Sequence, residues 1–286
     1  MKFLVIGHSV EDHIISGNDE IIKPGGIYYT ASALTSVAVN DTVYLCTSAE
    51  KENYNLFSDV FDLCKPDFIQ YTGTIPKVLL TIHGEKERDE QYNNINRSLD
   101  LPPYERLNEF DGILINMITG FDIELEQLKK IRQVFTGTIY LDVHTLSRGL
   151  GHHGHRDFRH IYNFKEWAEC VDIIQANEYE IKTLSSEISD NDIALEILGY
   201  GTKQIIITKG PLGAKVYYLH NGELNSIFKS AAKVISGNKI GLGDVFGAVY
   251  FYNYIKTGDL FSSLENSVAA SGLAAEQNGL TKLKKI

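Results

Sequence analysis

Near the end of the chain stand Gly241-Leu242-Gly243-Asp244, followed by an apolar run over Val245–Ile255 that predicts a buried helix. Glycines just ahead of a helix let the backbone turn tightly and leave the first N–H groups without intrahelical partners. Those groups, with the positive end of the helix dipole, form a seat for an anion, most often phosphate. A carboxylate in the same place repels that anion unless it has a separate task. Taking a proton from a hydroxyl that attacks phosphorus is such a task. The competing interpretation is a glycine-rich turn with Asp244 as an N-terminal cap.

Other groups of residues bear on that choice. Asn177 and Glu180 follow an apolar strand and are three apart, so they share one face of a first helical turn. A carboxylate and an amide oxygen at a strand's C-terminal end can hold Mg²⁺ directly or through its waters. The same spacing also suits a capping box. Thr208-Lys209-Gly210-Pro211-Leu212-Gly213 is a glycine-punctuated turn between two strands. Its backbone can approach phosphates closely, although it is not a Walker loop, which needs Gly-Lys-Ser/Thr opening a helix. Asp12 lies beyond the first strand, where ligands sit in open α/β sheets. The pair Gly25-Gly26 separates a short strand from a helical pattern and can serve as a hinge or a close backbone approach to a ligand. The histidines at 152, 153, 155 and 160 suggest a transition-metal site by their number. Lacking a defined ligand geometry, they fit better in a solvated or substrate-proximal loop, from which Arg156 or Arg159 can reach toward a charged substrate.

Positioning such groups requires a scaffold, and βα alternation supplies one. Strands are expected at Phe3–Ile6, Thr42–Cys46, Gly112–Asn116, Thr138–Val143, Val171–Gln175 and Gln204–Thr208. Helices are expected at Ile27–Val39, Glu50–Leu63, Glu124–Phe135, Phe164–Cys170, Glu178–Ser185, Asp190–Gly199, from Val245 to about Lys256, and at Leu264–Glu276. Asn221-Gly222 predicts a hairpin joining Ala214–Leu219 to Ser226–Ser230. Between residues 74 and 96 the alternation breaks, and a hairpin with one wet face is predicted instead. With residues 14–23 it would form a small sheet standing off the body as a lid. No internal repeat or linker interrupts the 286 residues, so one α/β domain with a small β lid is expected.

Composition narrows the partners. A formal charge of −10, with no Lys/Arg-rich run, argues against a nucleic-acid surface. The three cysteines, Cys46, Cys64 and Cys170, form neither a disulfide framework nor a zinc spacing, and buried free thiols are expected. The apolar start is too short for a signal peptide or a membrane span, and no later run is long enough. A cytoplasmic protein without membrane partners is expected.

Taken in order, Asp12, Gly25-Gly26, Asn177/Glu180, Thr208/Gly210/Gly213 and Gly241/Gly243/Asp244 resemble the motif series of the ribokinase-like (PfkB) carbohydrate and nucleoside kinases. The resemblance spans nearly the whole chain. It implies a three-layer, doubly wound, mainly parallel sheet, ATP and Mg²⁺ as cofactors, and a small hydroxylated substrate. Asp244 would be the catalytic base, and the N–H groups of Gly241, Leu242 and Gly243 the anion hole. Asn177 and Glu180 would organise Mg²⁺ and its waters. Thr208, Gly210 and Gly213 would line the nucleotide site, with Asn266 near the adenine. Asp12, Gly25, Gly26 and Thr30 would meet the substrate, and the lid would close over it, or pair with a second lid in a homodimer.

The chain also departs from the family pattern. Leu242 stands where alanine is usual. Asn238 and Ile240 replace an aspartate and a small polar residue, and in the family that aspartate helps hold an activating monovalent cation. Thr30 replaces an asparagine that often meets sugar hydroxyls. Cation activation and substrate identity therefore do not carry over. Two further functions compete. A dinucleotide-dependent oxidoreductase fails on context, because Gly247 is too distant and no strand with an acidic ribose-binding residue follows. A non-catalytic nucleotide- or sugar-binding regulator on the same fold remains a second reading.

Overall fold

The computed structural model describes residues 1–16, 19–81, 89–95, 97–232 and 240–276. In chain order the elements are β1 (Lys2–Ile6), β2 (Ser9–Ser16), β3 (Asp19–Gly26), α1 (Ile27–Val37), β4 (Thr42–Glu50), α2 (Ser58–Phe61) and β5 (Lys65–Thr72). There follow β6 (Lys77–Thr81), β7 (Asp89–Asn93), β8 (Gly112–Asn116), α3 (Leu125–Val134), β9 (Thr138–Asp142), β10 (Arg148–Leu150) and β11 (Arg156–Phe158). The chain continues through α4 (Phe164–Ala168), β12 (Ile173–Asn177), α5 (Asp190–Leu198), β13 (Gln204–Thr208), β14 (Gly213–His220), β15 (Glu223–Ser230), α6 (Leu242–Thr257) and α7 (Leu260–Glu276).

Nine strands form one sheet in the order β15-β14-β13-β12-β9-β8-β1-β4-β5. From β13 to β5 every pairing is parallel, whereas β14 and β15 run antiparallel at one edge. Period-two side-chain alternation explains how both faces become cores. Phe3 and Val5 of β1 pack with α1, α6 and α7, while Leu4 and Ile6 pack on the other face with α3, α4 and α5. All four are fully buried, and each such side chain contributes roughly 2 kcal/mol. The three-layer α/β expectation is met.

A second sheet, β3-β2-β6-β7, stands at the C-terminal ends of the parallel strands. The stretches expected to form a lid supply it, but it begins earlier, at Ser9. Asp12 therefore sits inside β2, paired with Lys23 and Val78, rather than at the end of a main-sheet strand. Expected lid residues 17–18, 82–88 and 96 lie outside the described residues. Two expected helices are shorter: 50–63 yields a 3₁₀ turn and α2, and 178–185 yields only a 3₁₀ turn at Glu180–Thr183. The hairpin turn at Asn221-Gly222 has φ of +52° and +79°, as a two-residue turn that follows strand twist requires.

The histidine-rich stretch is not a free loop. Strands β10 and β11 pair as a hairpin that docks on the edge of the second sheet. Gln91 Nε2 donates to the His153 carbonyl at 2.6 Å, and the Arg156 guanidinium lies 5.0 Å from the Tyr92 ring centroid. Among the described residues, no group of three or more His, Cys, Asp or Glu side chains is arranged to hold a metal. All three cysteines are free and buried. No helix among the described residues is long and apolar enough to cross a membrane.

Candidate active site

The C-terminal ends of parallel strands expose backbone groups and diverging loops, and polar residues that end apolar runs collect there. In this chain those residues are Asn116 on β8, Asp142 on β9 and Asn177 on β12. They neighbour one another by register: Asn116 opposes Asp142, Gln175 opposes Asp142, and Asn177 opposes Thr208. Between this edge and the second sheet lies a pocket. Its walls include Asp12, Gly26, Tyr29, Glu90, Tyr92, His144, Ile240, Gly241 and Asp244.

Gly241 is the N-cap of α6 and adopts φ +77°, in the left-handed region. A side chain there would meet the Tyr29 ring at 2.5 Å, so both conformation and space demand glycine. That turn places Asp244 in the first turn of α6, with the N–H groups of Leu242 and Gly243 beside it. Asp244 Oδ1 accepts from Asn116 Nδ2 at 2.6 Å, and Thr30 Oγ1 lies 3.5 Å away. Asn116 Nδ2 also donates to Thr30 Oγ1 at 2.9 Å. Gln175 braces the same turn, donating to the Gly243 carbonyl at 3.0 Å and to Asp142 Oδ2 at 3.1 Å, while Tyr140 donates to its Oε1.

The Gly25-Gly26 pair joins β3 to α1. A side chain at Gly25 would overlap the Asp12 carboxyl, at 2.3–2.4 Å, and one at Gly26, with φ +61°, would meet the His8 carbonyl at 2.5 Å. Gly25 thus lies against Asp12 of the neighbouring strand within the second sheet, and Gly26 against the backbone that leads from β1 to β2.

Beside Asp244 lies a second charged group. Asn177 and Glu180 make the reciprocal capping box: Asn177 Oδ1 accepts from the Tyr179 and Glu180 N–H groups, and Glu180 Oε2 accepts from the Asn177 N–H. Glu180 Oε1 faces His144 Nδ1 at 3.6 Å. Burial alone would lower the proton affinity of His144, but Glu180, with Glu90 and Asp142, raises it to about 9. Burial pushes Asp142 well above the usual carboxylate range; His144 opposes this, and Glu180 and Asp244 reinforce it. His144 thus sits amid three acidic side chains, Glu180, Glu90 and Asp142.

Thr208, Gly210 and Gly213 line the turn from β13 into β14, next to Asn177. Gly213 packs against the Lys229 carbonyl with φ +117°, whereas Gly210 opens onto space. Asn266 on α7 donates to Asn253 Oδ1 of α6 at 3.3 Å, placing it between helices. Asn238 lies outside the described residues. Sequence reasoning missed Asn116, Gln175, His144 and Tyr29 as site residues. For the first two the signal was present, a polar residue within or closing an otherwise apolar strand.

Residues 161–285 match the sequence model of the pfkB family carbohydrate kinases. None of the curated proteins matches the sequence significantly. Among solved structures, the chain is similar to ribokinase from Thermotoga maritima, with 16% identity, a TM-score of 0.76 and coverage of 99% of this chain and 95% of the other. It is similar to Arabidopsis thaliana ribokinase complexed with ribose and ATP (15% identity, TM-score 0.74, 100% and 98% coverage). It is also similar to a pyrophosphate-dependent kinase in the ribokinase family complexed with a pyrophosphate analog and myo-inositol (14% identity, TM-score 0.75, 97% and 96% coverage). The resemblance to the ribokinase-like family is thus carried by the C-terminal sequence and by the fold of nearly the whole chain.

Proposed function

We propose that the chain is an ATP-dependent kinase that transfers the γ-phosphoryl group to a hydroxyl of a sugar, polyol or nucleoside. One observation carries this reading: Asp244 is fixed in the first turn of a helix whose N-terminus opens on the same pocket as Asp12 and Gly26. A base and an anion seat a few atoms apart suit in-line attack by a hydroxyl on phosphorus.

In this reading residues 1–286 act as one α/β unit with the second sheet as a lid. Asp12 accepts from substrate hydroxyls, with the backbone of Gly25 and Gly26 and the Thr30 hydroxyl alongside. Asp244 takes the proton of the attacking hydroxyl. The N–H groups of Gly241, Leu242 and Gly243 stabilise charge on the phosphoryl oxygens. Thr208, Gly210, Gly213, Asn177 and Asn266 line the nucleotide side. Lid closure about Gly25-Gly26 excludes water, which would otherwise compete as acceptor.

For Mg²⁺ the described residues offer a single suitable carboxylate oxygen, Glu180 Oε1, at the C-terminal edge of β12. Both lone pairs of Asn177 Oδ1 are engaged in the capping box, so Glu180 Oε1 and bridging waters would hold the ion. When bound, Mg²⁺ would neutralise phosphate charge. The buried free thiols suit a reducing cytoplasm. The outer strand of the lid, β3, exposes Ile21 and Ile22 at 52% and 50%, which suits pairing with a second copy.

The test is a panel of sugars, polyols and nucleosides offered with Mg²⁺ and either ATP or pyrophosphate, products being read by mass spectrometry. An ATP-dependent phosphorylated product supports the proposal. Transfer from pyrophosphate alone would correct the donor. Binding without turnover throughout would favour the regulator.

A further inference from the structure

Asn116 ends β8, behind three fully buried residues, Ile113, Leu114 and Ile115, and its own side chain is 1% exposed. It carries two amide hydrogens, and both are used: one on Thr30 Oγ1, the other on Asp244 Oδ1. Its own Oδ1 is buried with no hydrogen-bond partner among the described residues. We infer that Asn116 is the positioning residue of the site, holding the carboxyl group of Asp244 in the plane and ionisation state that a base requires; this rests on the proposed role of Asp244.

Which way the amide points follows from its neighbours. Turning it over would set its oxygen 2.6 Å from a carboxylate oxygen and leave the Asp244 oxygen without this donor. In the observed orientation a short, charge-assisted bond forms, and the orphaned amide oxygen is the penalty accepted for it. A carboxyl group protonated at Oδ1 would meet the N–H head-on, so the contact selects the ionised form. Fixing one oxygen also fixes the carboxyl plane, and hence the direction in which the other receives a proton. Thr30 supports the same arrangement from α1, since its hydroxyl accepts from Asn116 and lies 3.5 Å from Asp244 Oδ1.

A purely structural role is the competing account, because Asn116 links α1, β8 and α6. The two differ in what they do to the proton affinity of Asp244. Other charged groups face the same space and remain in every variant: Asp12 from β2, Glu90 from β7, Asp142 at the end of β9, His144 just after it and Glu180 behind it. The change caused by substitution at 116 can therefore be read against a constant background.

The experiment uses the full chain with Asn116→Leu, which keeps the size and removes the donors, and Asn116→Asp, which keeps the shape and puts a negative charge in place of the donor. Carboxyl ¹³C titration follows Asp244, its resonance assigned by its loss in Asp244→Asn. In Asn116→Leu the midpoint should rise by about one pH unit, a tenfold gain in proton affinity, and in Asn116→Asp by more. In the kinase assay Asn116→Leu should lower kcat roughly 10- to 100-fold, with the nucleotide KM held and the acid limb of kcat moved upward. An unmoved Asp244 midpoint in whichever of the two variants folds would overturn the inference. If the wild-type chain phosphorylates no acceptor, the kinase reading falls, while the titration still decides the role of Asn116.

Discussion

Replacing Gly241 by alanine separates the geometry of the turn from its chemistry. The residue sits at φ +77°, where a Cβ costs roughly 1–2 kcal/mol. That Cβ would also lie 2.5 Å from Cδ1 and Cγ of Tyr29. The ring is only 9% exposed and cannot swing freely into solvent; pushing it off its rotamer adds about 0.5–1.5 kcal/mol. Together the two effects destabilise by about 1.5–3.5 kcal/mol, a fall of roughly 3–14 °C in melting temperature at the ~2–4 °C per kcal/mol of a large domain. Gly210→Ala is the control. It too has positive φ, +51°, but nothing lies within 4 Å of its new Cβ, so only the backbone part, about 1–2 kcal/mol, applies. Thermal unfolding should rank wild type above Gly210→Ala above Gly241→Ala. In the acceptor assay Gly241→Ala should lose a further 10²-fold or so in turnover, because moving the turn withdraws anion-seat N–H groups. Equal melting of the two variants would refute the packing argument, and unchanged turnover would refute the anion seat.

Other outcomes follow from the second sheet. His13 lies 2.6 Å from Glu11 and 2.5 Å from Glu20, while Glu11 also pairs with Lys77 at 3.0 Å and accepts from Asn53 at 3.1 Å. Burial opposes it, but Glu20 and Glu11 raise the proton affinity of His13 above its usual 6.5. Its stabilising contribution is therefore complete below pH 6.5 and lost as pH rises through the raised value. Glu11 is lowered below 4.5, against burial, by Lys77 and His13, so its contribution holds above pH 4.5 and is lost as pH falls through the lowered value. Melting temperature against pH should show both limbs, and His13→Gln should flatten the alkaline one; an unaltered alkaline limb would contradict this. At the other edge of the second sheet, Gly154 has φ +79° and its Cβ would lie 2.1 Å from the Tyr92 carbonyl. Gly154→Ala should lift the hairpin off β7 and speed hydrogen exchange at the β7 amides, and unchanged protection there would count against the docking.

Much of the scaffold was legible in the sequence because parallel strands covered on both faces are continuous apolar runs. Gly112–Asn116 and Gln204–Thr208 were bounded to the residue. Glycines requiring positive φ marked the turns at Gly26, Gly213 and Gly241. What escaped has a common cause. Strand β2 follows almost directly from β1, so His8–Asp12 read as the end of the first strand, and only residues from 14 onward as part of the second sheet. The stretch 178–185 has helical spacing, but its first turn is spent on the capping box and stops as a 3₁₀ turn. Asn116 and Gln175 look like ordinary strand residues until register sets them under Asp244. His144, with φ +32°, owes its place to a backbone turn that no spacing announces.

The central claim is that Asp244 is a base acting on a hydroxyl beside an anion seat. Its most direct test is the turnover of Asp244→Asn, with the acceptor and donor identified by the screen and nucleotide affinity measured in parallel. The side chain keeps its size but can no longer take a proton, so turnover should fall roughly 10²- to 10⁴-fold while nucleotide affinity stays within about twofold. Undiminished turnover in Asp244→Asn would contradict the account.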